Sequence, residues 1–344
     1  MLFNTKGQRI KGSKIEGERK RPLPSRFFDP LILQPFVLRK LKTMNNRMRI
    51  GFIGFGEAGF HIAKDLRGAG VSGVCAYDIN ALAPGLGEKI QRRSGEAAVP
   101  LLESNAELAA ASDILLSTVT ANCGMEAAEQ TAPFLASRHI YADLNSVSPA
   151  LKQSIGELVE SRGARFVEAA VMSPVPRHGA AVPMFLCGAH APEFARLLSP
   201  YGMKLEVISE RIGAASAVKM CRSVVVKGLE ALMLECVLGS VPYGADERVF
   251  ATLDETFPGM DWKKLASYMI GRVVEHGERR AREMEEVSAT LRSIGVEPVM
   301  AEATARRQDW LAGLGLLEHF GGKAPDDYRA VAQAIDFKKS FSHE

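Results

Sequence analysis

Residues 49–59 read Arg-Ile-Gly-Phe-Ile-Gly-Phe-Gly-Glu-Ala-Gly, and their order decides the fold. A short apolar run ending at Ile53 leads directly into Gly54-x-Gly56-x-x-Gly59, and Ile62, Ala63, Leu66 and Ala69 follow. Spacings of three and four bury one face of a helix, so strand, tight turn and helix to Gly70 are predicted in that order. The glycine pattern means dinucleotide binding only in such a context. Gly54 permits the tight turn, Gly56 lets the backbone approach a pyrophosphate, and Gly59 lets helix and strand pack closely. Free N–H groups of the first helical turn then face the phosphates. Asp78 stands nineteen residues beyond Gly59, after the apolar run Val74-Cys75-Ala76-Tyr77. A carboxylate there accepts hydrogen bonds from ribose hydroxyls and repels a 2′-phosphate, so NAD is expected in preference to NADP.

Outward from this motif, apolar runs alternate with helical patterns as far as Ser209. Strands are predicted over 74–77, 96–99, 114–119, 140–144, 166–172, 183–187 and 205–209. Helices are predicted over 105–111, with Asn105 as cap, over 124–135, and from Pro149, with Ser148 as cap. The run at 114–119 is apolar almost throughout, as a strand buried on both faces should be. Strands alternating with helices argue for a doubly wound parallel sheet. From Gly213 onward no strand is expected, and helices are predicted over 214–238, 262–294, 298–314 and 325–337. The expected fold is α/β followed by all-α: a Rossmann-type sheet over 48–210 and a helical domain over 211–340. A cleft between two such domains is a favoured place for a small ligand.

A chain of 344 residues with 47% hydrophobic and 24% charged residues suits about two soluble globular domains. Its five cysteines are scattered, odd in number and form no CxxC. That composition suits the cytoplasm and argues against a disulfide framework or a zinc site. The seven histidines show no HExxH-type spacing, so no metal is expected. No apolar run is long enough to span a membrane. The formal net charge of +3 is unevenly shared. Residues 1–47 carry 12 Lys and Arg against 3 Asp and Glu, which leaves the remainder at −6. An acidic body gives nucleic-acid binding little support. The basic segment has three readings: a disordered arm, a targeting peptide, or an upstream extension of the reading frame. Its acidic residues and prolines suit a targeting peptide poorly. Met44 and Met48, just before the first strand, favour the extension.

Three groups of residues could carry chemistry. Lys219 lies in Gly213-Ala-Ala-Ser-Ala-Val-Lys-Met-Cys-Arg-Ser223, where small residues let the helix approach another backbone. A lysine in such a crowded turn can have a depressed pKa and exchange protons near neutrality, although spacing alone favours an ordinary solvated lysine. Asp143-Leu-Asn-Ser-Val-Ser-Pro149 lies at the carboxyl end of a predicted parallel strand, where open α/β sheets bind ligands. A helix cap explains Ser148 there, but explains Asn145 and Ser146 less well. Thr118, Val119 and Thr120 end the 114–119 strand, where backbone can line a nicotinamide ribose. His276, Arg279, Arg280, Arg282 and Glu283 form a charged run, read as a solvated face with i,i+4 pairs such as Arg279 with Glu283. His61, in the first helix, is read as structural.

Together these residues resemble the β-hydroxyacid dehydrogenase family, which includes 3-hydroxyisobutyrate and tartronate semialdehyde-type reductases and is related to 6-phosphogluconate dehydrogenase. The resemblance spans about 48–315. Gly54-Phe-Gly-Glu-Ala-Gly59…Gly70 is similar to the opening GxGxMG…AG pattern, with Ala58 where Met is usual. Asp143…Pro149 resembles the family's D-x-S-T-x-x-P substrate loop, and Asn145-Ser146 is similar to the Asn-Ser of the phosphogluconate enzymes. Gly213…Lys219 resembles the GxxxxxKxxNN helix, which puts Lys219 on the catalytic lysine. Gly295-Val-Glu-Pro298 resembles the late G-x-x-x-P turn, and counting back sets Arg282-Glu283 on the usual Lys-Asp pair. There are departures. The family's D-A-P-V-S-G-G loop is Glu168-Ala-Ala-Val-Met-Ser-Pro174 here, so its glycines are missing and Ser173 is left as a polar contact. The Asn-Asn after the lysine is Arg222-Ser223.

The resemblance implies a reversible hydride transfer between a nicotinamide and a 3-hydroxy acid, with sugar acids and their phosphates among the candidates, and with Lys219 as general acid and base. The implied cofactor residues are Gly54, Phe55, Gly56, Glu57, Ala58, Gly59, Asp78, Thr118, Val119 and Thr120. Asn145, Ser146 and Ser173 would hold the substrate, and Arg222 would suit an extra carboxylate or phosphate. Alternatives are oxidative decarboxylation of the 6-phosphogluconate type, an imine reductase, in which the lysine is commonly replaced, or a non-catalytic dinucleotide sensor. A homodimer through the helical domain is expected, since long apolar helices need partners.

Overall fold

The structure is a computed structural model that describes residues 48–341; the readings made for 1–47 lie outside it. The opening apolar run forms β1 (Arg49–Ile53), buried from Ile50 onward. In chain order there follow α1 (Glu57–Gly68), β2 (Gly73–Tyr77), α2 (Leu86–Ala97), α3 (Asn105–Ala111), β3 (Ile114–Ser117), α4 (Gly124–Thr131), β4 (Ile140–Asp143), α5 (Pro149–Glu160), β5 (Arg165–Val171), β6 (Pro183–Cys187), α6 (Ala191–Leu198) and β7 (Lys204–Ser209). The strands make one sheet in the order β2-β1-β3-β4-β5-β6-β7. Apolar side chains from its faces and the covering helices form the cores, among them Ile50, Phe52, Leu66 and Leu116 in one and Leu115, Tyr141 and Phe166 in another. The expected α/β sheet followed by helices is what forms.

Three local expectations are corrected. β5 and β6 pair antiparallel, although the other neighbouring strands are parallel. The link between β5 and β6 holds only 3-10 turns, and a parallel return needs a longer crossover, usually a helix. Residues 96–99 are no strand. Glu96 and Ala97 end α2, which buries Gly87, Ile90 and Ala97. The chain meets the sheet slightly later, where Ala76 bonds Pro100 O and Leu102 N at 3.0 and 2.8 Å. Asn105 does not cap α3; Ser104 does, accepting from Glu107 N at 3.2 Å. Asn105 is buried and accepts from Thr131 Oγ1. Ser148 caps α5 as read, accepting from Leu151 N at 3.2 Å.

Beyond Gly213 the described chain is helical: α7 (Ala214–Ser240), α8 (Asp246–Thr256), α9 (Trp262–Ser293), α10 (Val299–Gly313), α11 (Leu316–His319) and α12 (Tyr328–Phe341). α8 and α11 were not foreseen. The pairs Glu230–Arg280, Lys227–Glu283 and Met220–Thr290 show that α7 and α9 run antiparallel. Gly277 lets α9 close on α10, since a Cβ there would meet Gln308 O at 2.9 Å. Ile270, Val273, Leu234, Leu311, Val331 and Ile335 join in the core of this layer. No described helix is long and apolar enough to cross a membrane.

Candidate active site

The glycine loop is held from three sides. Gly54 has φ +83°, and a Cβ there would meet Val119 Cγ1 at 2.8 Å, so glycine is required. Gly54 N–H donates to Tyr77 O at 2.8 Å, while Thr118 Oγ1 donates to Gly54 O at 2.7 Å. A Cβ on Gly59 would meet Thr118 Oγ1 at 2.7 Å and Gly54 O at 2.8 Å. Gly56 differs: nothing lies within 4 Å of its would-be Cβ, and it caps α1 with no side-chain hydrogen bond. That open space over a helix N-terminus fits an incoming phosphate. Phe55 offers backbone only, because its side chain is fully buried and its N–H is given to Asp78 Oδ2 at 2.7 Å. Asp78 Oδ1 accepts from Asn80 N at 2.9 Å, so the half-buried carboxylate is held at the end of β2 with lone pairs to spare. Glu57 and Thr120 are exposed; Ala58, Thr118 and Val119 are half-buried. These residues fit a dinucleotide.

The ends of β4 and β5 carry a second constellation. Asp143 and Glu168 are register partners on adjacent strands, and both are fully buried. Asp143 Oδ1 accepts from Asn145 N at 2.8 Å, which fixes the loop after β4. Asn145 Nδ2 donates to Ser117 Oγ at 2.9 Å, and the buried Oδ1 has no hydrogen-bond partner. Lys152, on α5, is also fully buried. Its Nζ donates to Asp143 O at 2.6 Å and Ala169 O at 3.5 Å, and lies 3.4 Å from Asp143 Oδ2 as an ion pair. Burial pushes the Asp143 carboxyl up, against the pull of Lys152 and the Asn145 N–H. Glu168 accepts from Gly213 N at 2.5 Å and Ser216 N at 2.7 Å, docking the first turn of α7 on the sheet. Ser146 is exposed and Ser173 half-buried.

Lys219 sits in the second turn of α7, half-buried. Burial lowers its pKa to about 8; Lys152 and Lys227 add to the fall, while Glu283 and Glu286 of α9 oppose it. Lys227 is tied to Glu283 at 2.6 Å, and Arg279 reaches the same carboxylate at 2.5 Å. Burial alone would raise Glu283, but these cations hold it below the usual carboxylate range. Burial pushes Glu286 up. Arg222 is exposed. A cavity of about 780 Å³ opens beside α7, walled by Asn122, Val147, Pro149, Ala217, Met220 and Leu291 among others. Lys219 does not line it. The cavity shares Glu286 with the surroundings of Lys219 and Val147–Ser148 with the loop after Asn145–Ser146.

The charged run on α9 is only partly a solvated face. His276, Arg279 and Arg282 are exposed, and Arg279 pairs with Glu283 as read. Arg280 is instead buried against Glu230, with Nε at 2.8 Å, and Gln308 joins them at 3.3 Å. It shares a stripe with Val273, Gly277, Met284 and Val287, all buried, so its spacing was the available signal. Lys152 was also overlooked. It falls in register with Ile155, Gly156 and Val159, the buried face of α5, and Glu168 lies inside an apolar strand.

Residues 49–207 match the NAD binding domain of 6-phosphogluconate dehydrogenase, and residues 242–311 match a domain of unknown function, DUF1932. A conserved hypothetical protein from Sinorhizobium meliloti 1021 is 35% identical, with 85% of this chain and 96% of that chain covered and a TM-score of 0.74. The conserved protein MTH1747, of unknown function, is 31% identical, with 77% of this chain and 97% of that chain covered and a TM-score of 0.66; its structure is described as similar to 3-hydroxyacid dehydrogenases. This chain belongs to a divergent β-hydroxyacid dehydrogenase-like family. Mitochondrial 3-hydroxyisobutyrate dehydrogenase of Drosophila melanogaster is 26% identical over 235 residues, 66% of this chain and 68% of that protein. As a β-hydroxyacid dehydrogenase-like protein, the chain carries a nicotinamide-dinucleotide-binding domain at 49–207.

Proposed function

We propose that the protein is an NAD(P)-dependent oxidoreductase acting on a 3-hydroxy acid, with Lys219 as the general base in oxidation and the general acid in reduction. The observation that carries this reading is the placement of Lys219, half-buried in the second turn of a helix that Glu168 docks against the strand ends; burial there lowers its pKa to about 8. A bound nicotinamide supplies the hydride acceptor. The protein's own part is to hold Lys219 neutral enough to take the hydroxyl proton near neutral pH. Asn145 offers a buried amide end with no partner to a polar ligand group, and the hydroxyls of Ser146, next in the same loop, and of Ser173, just after β5, are assigned to the substrate as well. Asp78 favours NAD, because its carboxylate repels a 2′-phosphate. Arg222, exposed on α7, is assigned to a further anionic group of the substrate; unchanged substrate affinity in Arg222→Ala would remove it from the site.

The test supplies the full chain with NAD and NADP separately and screens 3-hydroxy acids, sugar acids and their phosphates by absorbance of the reduced nicotinamide. Turnover is expected with at least one compound, and Lys219→Ala should lower it by about two orders of magnitude or more. Dinucleotide binding with no turnover across the panel would favour a sensing role, which suits the loss of glycines from Glu168-Ala-Ala-Val-Met-Ser-Pro174. Turnover untouched by Lys219→Ala would refute the assignment of the base.

A further inference from the structure

We propose that the cavity beside α7 is the pocket for an apolar ring or branched chain of the substrate, so that the hydroxy acid is an aryl- or alkyl-substituted one rather than a sugar acid. The inference rests on the reading of the protein as a hydroxy-acid oxidoreductase and names the class of substrate that reading leaves open. The cavity holds about 780 Å³, within the roughly 300–1,000 Å³ of sites that enclose drug-sized ligands. A short hydroxy acid cannot fill such a space, and binding gains only from the wall that a ligand touches.

The walls are mostly apolar. Ala217 and Met220 come from one face of α7, Val287 and Leu291 from α9, Val147 from the loop after β4 and Leu151 from the first turn of α5. Several polar groups among them are already engaged: Ser148 Oγ takes the Leu151 N–H, Gln153 Nε2 donates to Ile212 O, and Thr290 Oγ1 donates to Glu286 O. Asn122, Arg211 and Glu286 are exposed, so water solvates them. A sugar acid carries a hydroxyl on nearly every carbon, and each one buried against these walls without a partner is costly. An aromatic or branched group meets no such penalty.

The cavity is tied to the reacting groups by the chain itself. The three segments assigned to cofactor, substrate and proton transfer each run on into its wall: Thr118–Thr120 into Ala121 and Asn122, Asn145–Ser146 into Val147 and Ser148, and Lys219 into Met220 and Cys221. At one end α7 and α5 meet, since a Cβ on Gly213 would lie 3.1 Å from Pro149 Cβ. A substrate held by the first residues of these segments has the next residues as its surroundings.

The test uses the full chain with NAD and follows N-ethylmaleimide modification of each cysteine by peptide mass spectrometry. Cys221 is the exposed one of the five cysteines and lines the cavity, whereas Cys75 and Cys187 are buried. The probe is 3-phenylpropanoate, which has the ring and the carboxylate but no hydroxyl to oxidise. Present at about ten times its Kd, it should slow modification of Cys221 about tenfold by mass action, and propanoate at the same concentration should not. Ala217→Phe fills the cavity from α7 and should abolish the protection; Ala289→Trp, at an exposed wall position on α9, should do the same and carries the test where the first variant fails to fold. In turnover, 3-hydroxy-3-phenylpropanoate should exceed 3-hydroxypropanoate in kcat/KM by about tenfold or more, and the filled variants should remove that preference. An unprotected Cys221, equal protection by propanoate, or protection retained in both filled variants would overturn the proposal. Protection of Cys221 with no turnover of either acid would sink the dehydrogenase reading and leave the pocket standing. Turnover of 3-hydroxypropanoate alone, with Cys221 unprotected, would do the reverse.

Discussion

At Gly56 an added methyl group would meet nothing within 4 Å, whereas at Gly59 it would run into Thr118 Oγ1 and Gly54 O. The two glycines therefore separate binding from folding. Gly59→Ala should cost about 1–3 kcal/mol of stability by overpacking. Gly56→Ala should melt like wild type and bind NADH about tenfold more weakly or worse, because the methyl occupies the space left for phosphate. Thermal melts and fluorescence titration of NADH check both; wild-type affinity in Gly56→Ala would remove the phosphate from that space. Lys219 makes a prediction in pH. Its folded pKa, near 8, lies below the ordinary value of 10.5, so the folded state binds a proton less readily than the unfolded chain. The resulting penalty is fully present below about 8, fades as pH rises toward 10.5, and is absent above that. Lys219→Met should accordingly raise the melting temperature at pH 7, with the gain shrinking between pH 8 and 10.5. A gain independent of pH would show that the burial is structural and the titration is not.

At the scale of elements, Glu168 decides how the helix bearing Lys219 meets the sheet. Its two carboxylate oxygens take the Gly213 and Ser216 N–H groups, two of the donors a helix N-terminus leaves unsatisfied. Glu168→Ala should cost about 3 kcal/mol in urea unfolding, with Glu168→Gln intermediate because one acceptor remains. Dinucleotide affinity should be nearly unchanged, since the glycine loop is held by Thr118 and Tyr77 instead. A full loss of dinucleotide binding would mean that the docking of α7 also sets the loop. The helices that sequence periodicity located, α7, α9 and α10, are long and have regular buried faces. Those it missed beyond Gly213, α8 and α11, are shorter, with buried sets reduced to Asp246 and Phe250 in one and Leu316 in the other, too few positions to show a period; α2 and α6, in the sheet domain, were missed as well.

At the scale of the whole molecule, α7 leaves an apolar stripe uncovered: Val218, Val225, Leu229 and Leu232 are 42–62% exposed at spacings of three, four and seven. A second copy packed on this stripe is the expected partner, and Leu229→Glu should turn a dimer into a monomer in light scattering; a wild-type monomer would dismiss it. The dinucleotide loop was legible in the sequence because it is local. Gly54, Gly56 and Gly59 lie within six residues, and backbone geometry over so short a span follows from residue type. The alternation of strand and helix was legible for the same reason, since side-chain period is set by neighbours along the chain. The environment of Lys219 was not. Lys152, Glu283 and Glu286 lie 67 positions before it and 64 and 67 after it, and no local pattern says that they converge. Arg280 could be told from Arg279 and Arg282 by its spacing from Val273, Gly277, Met284 and Val287, but no local pattern names Glu230 as its partner in the interior. The sequence by itself determined most of the elements and the glycine turn after β1, through dihedral preference and hydrophobic period. Only the tertiary structure decided which charges are buried together, because desolvation and Coulomb interaction depend on distance through space and the pKa of Lys219 depends on both.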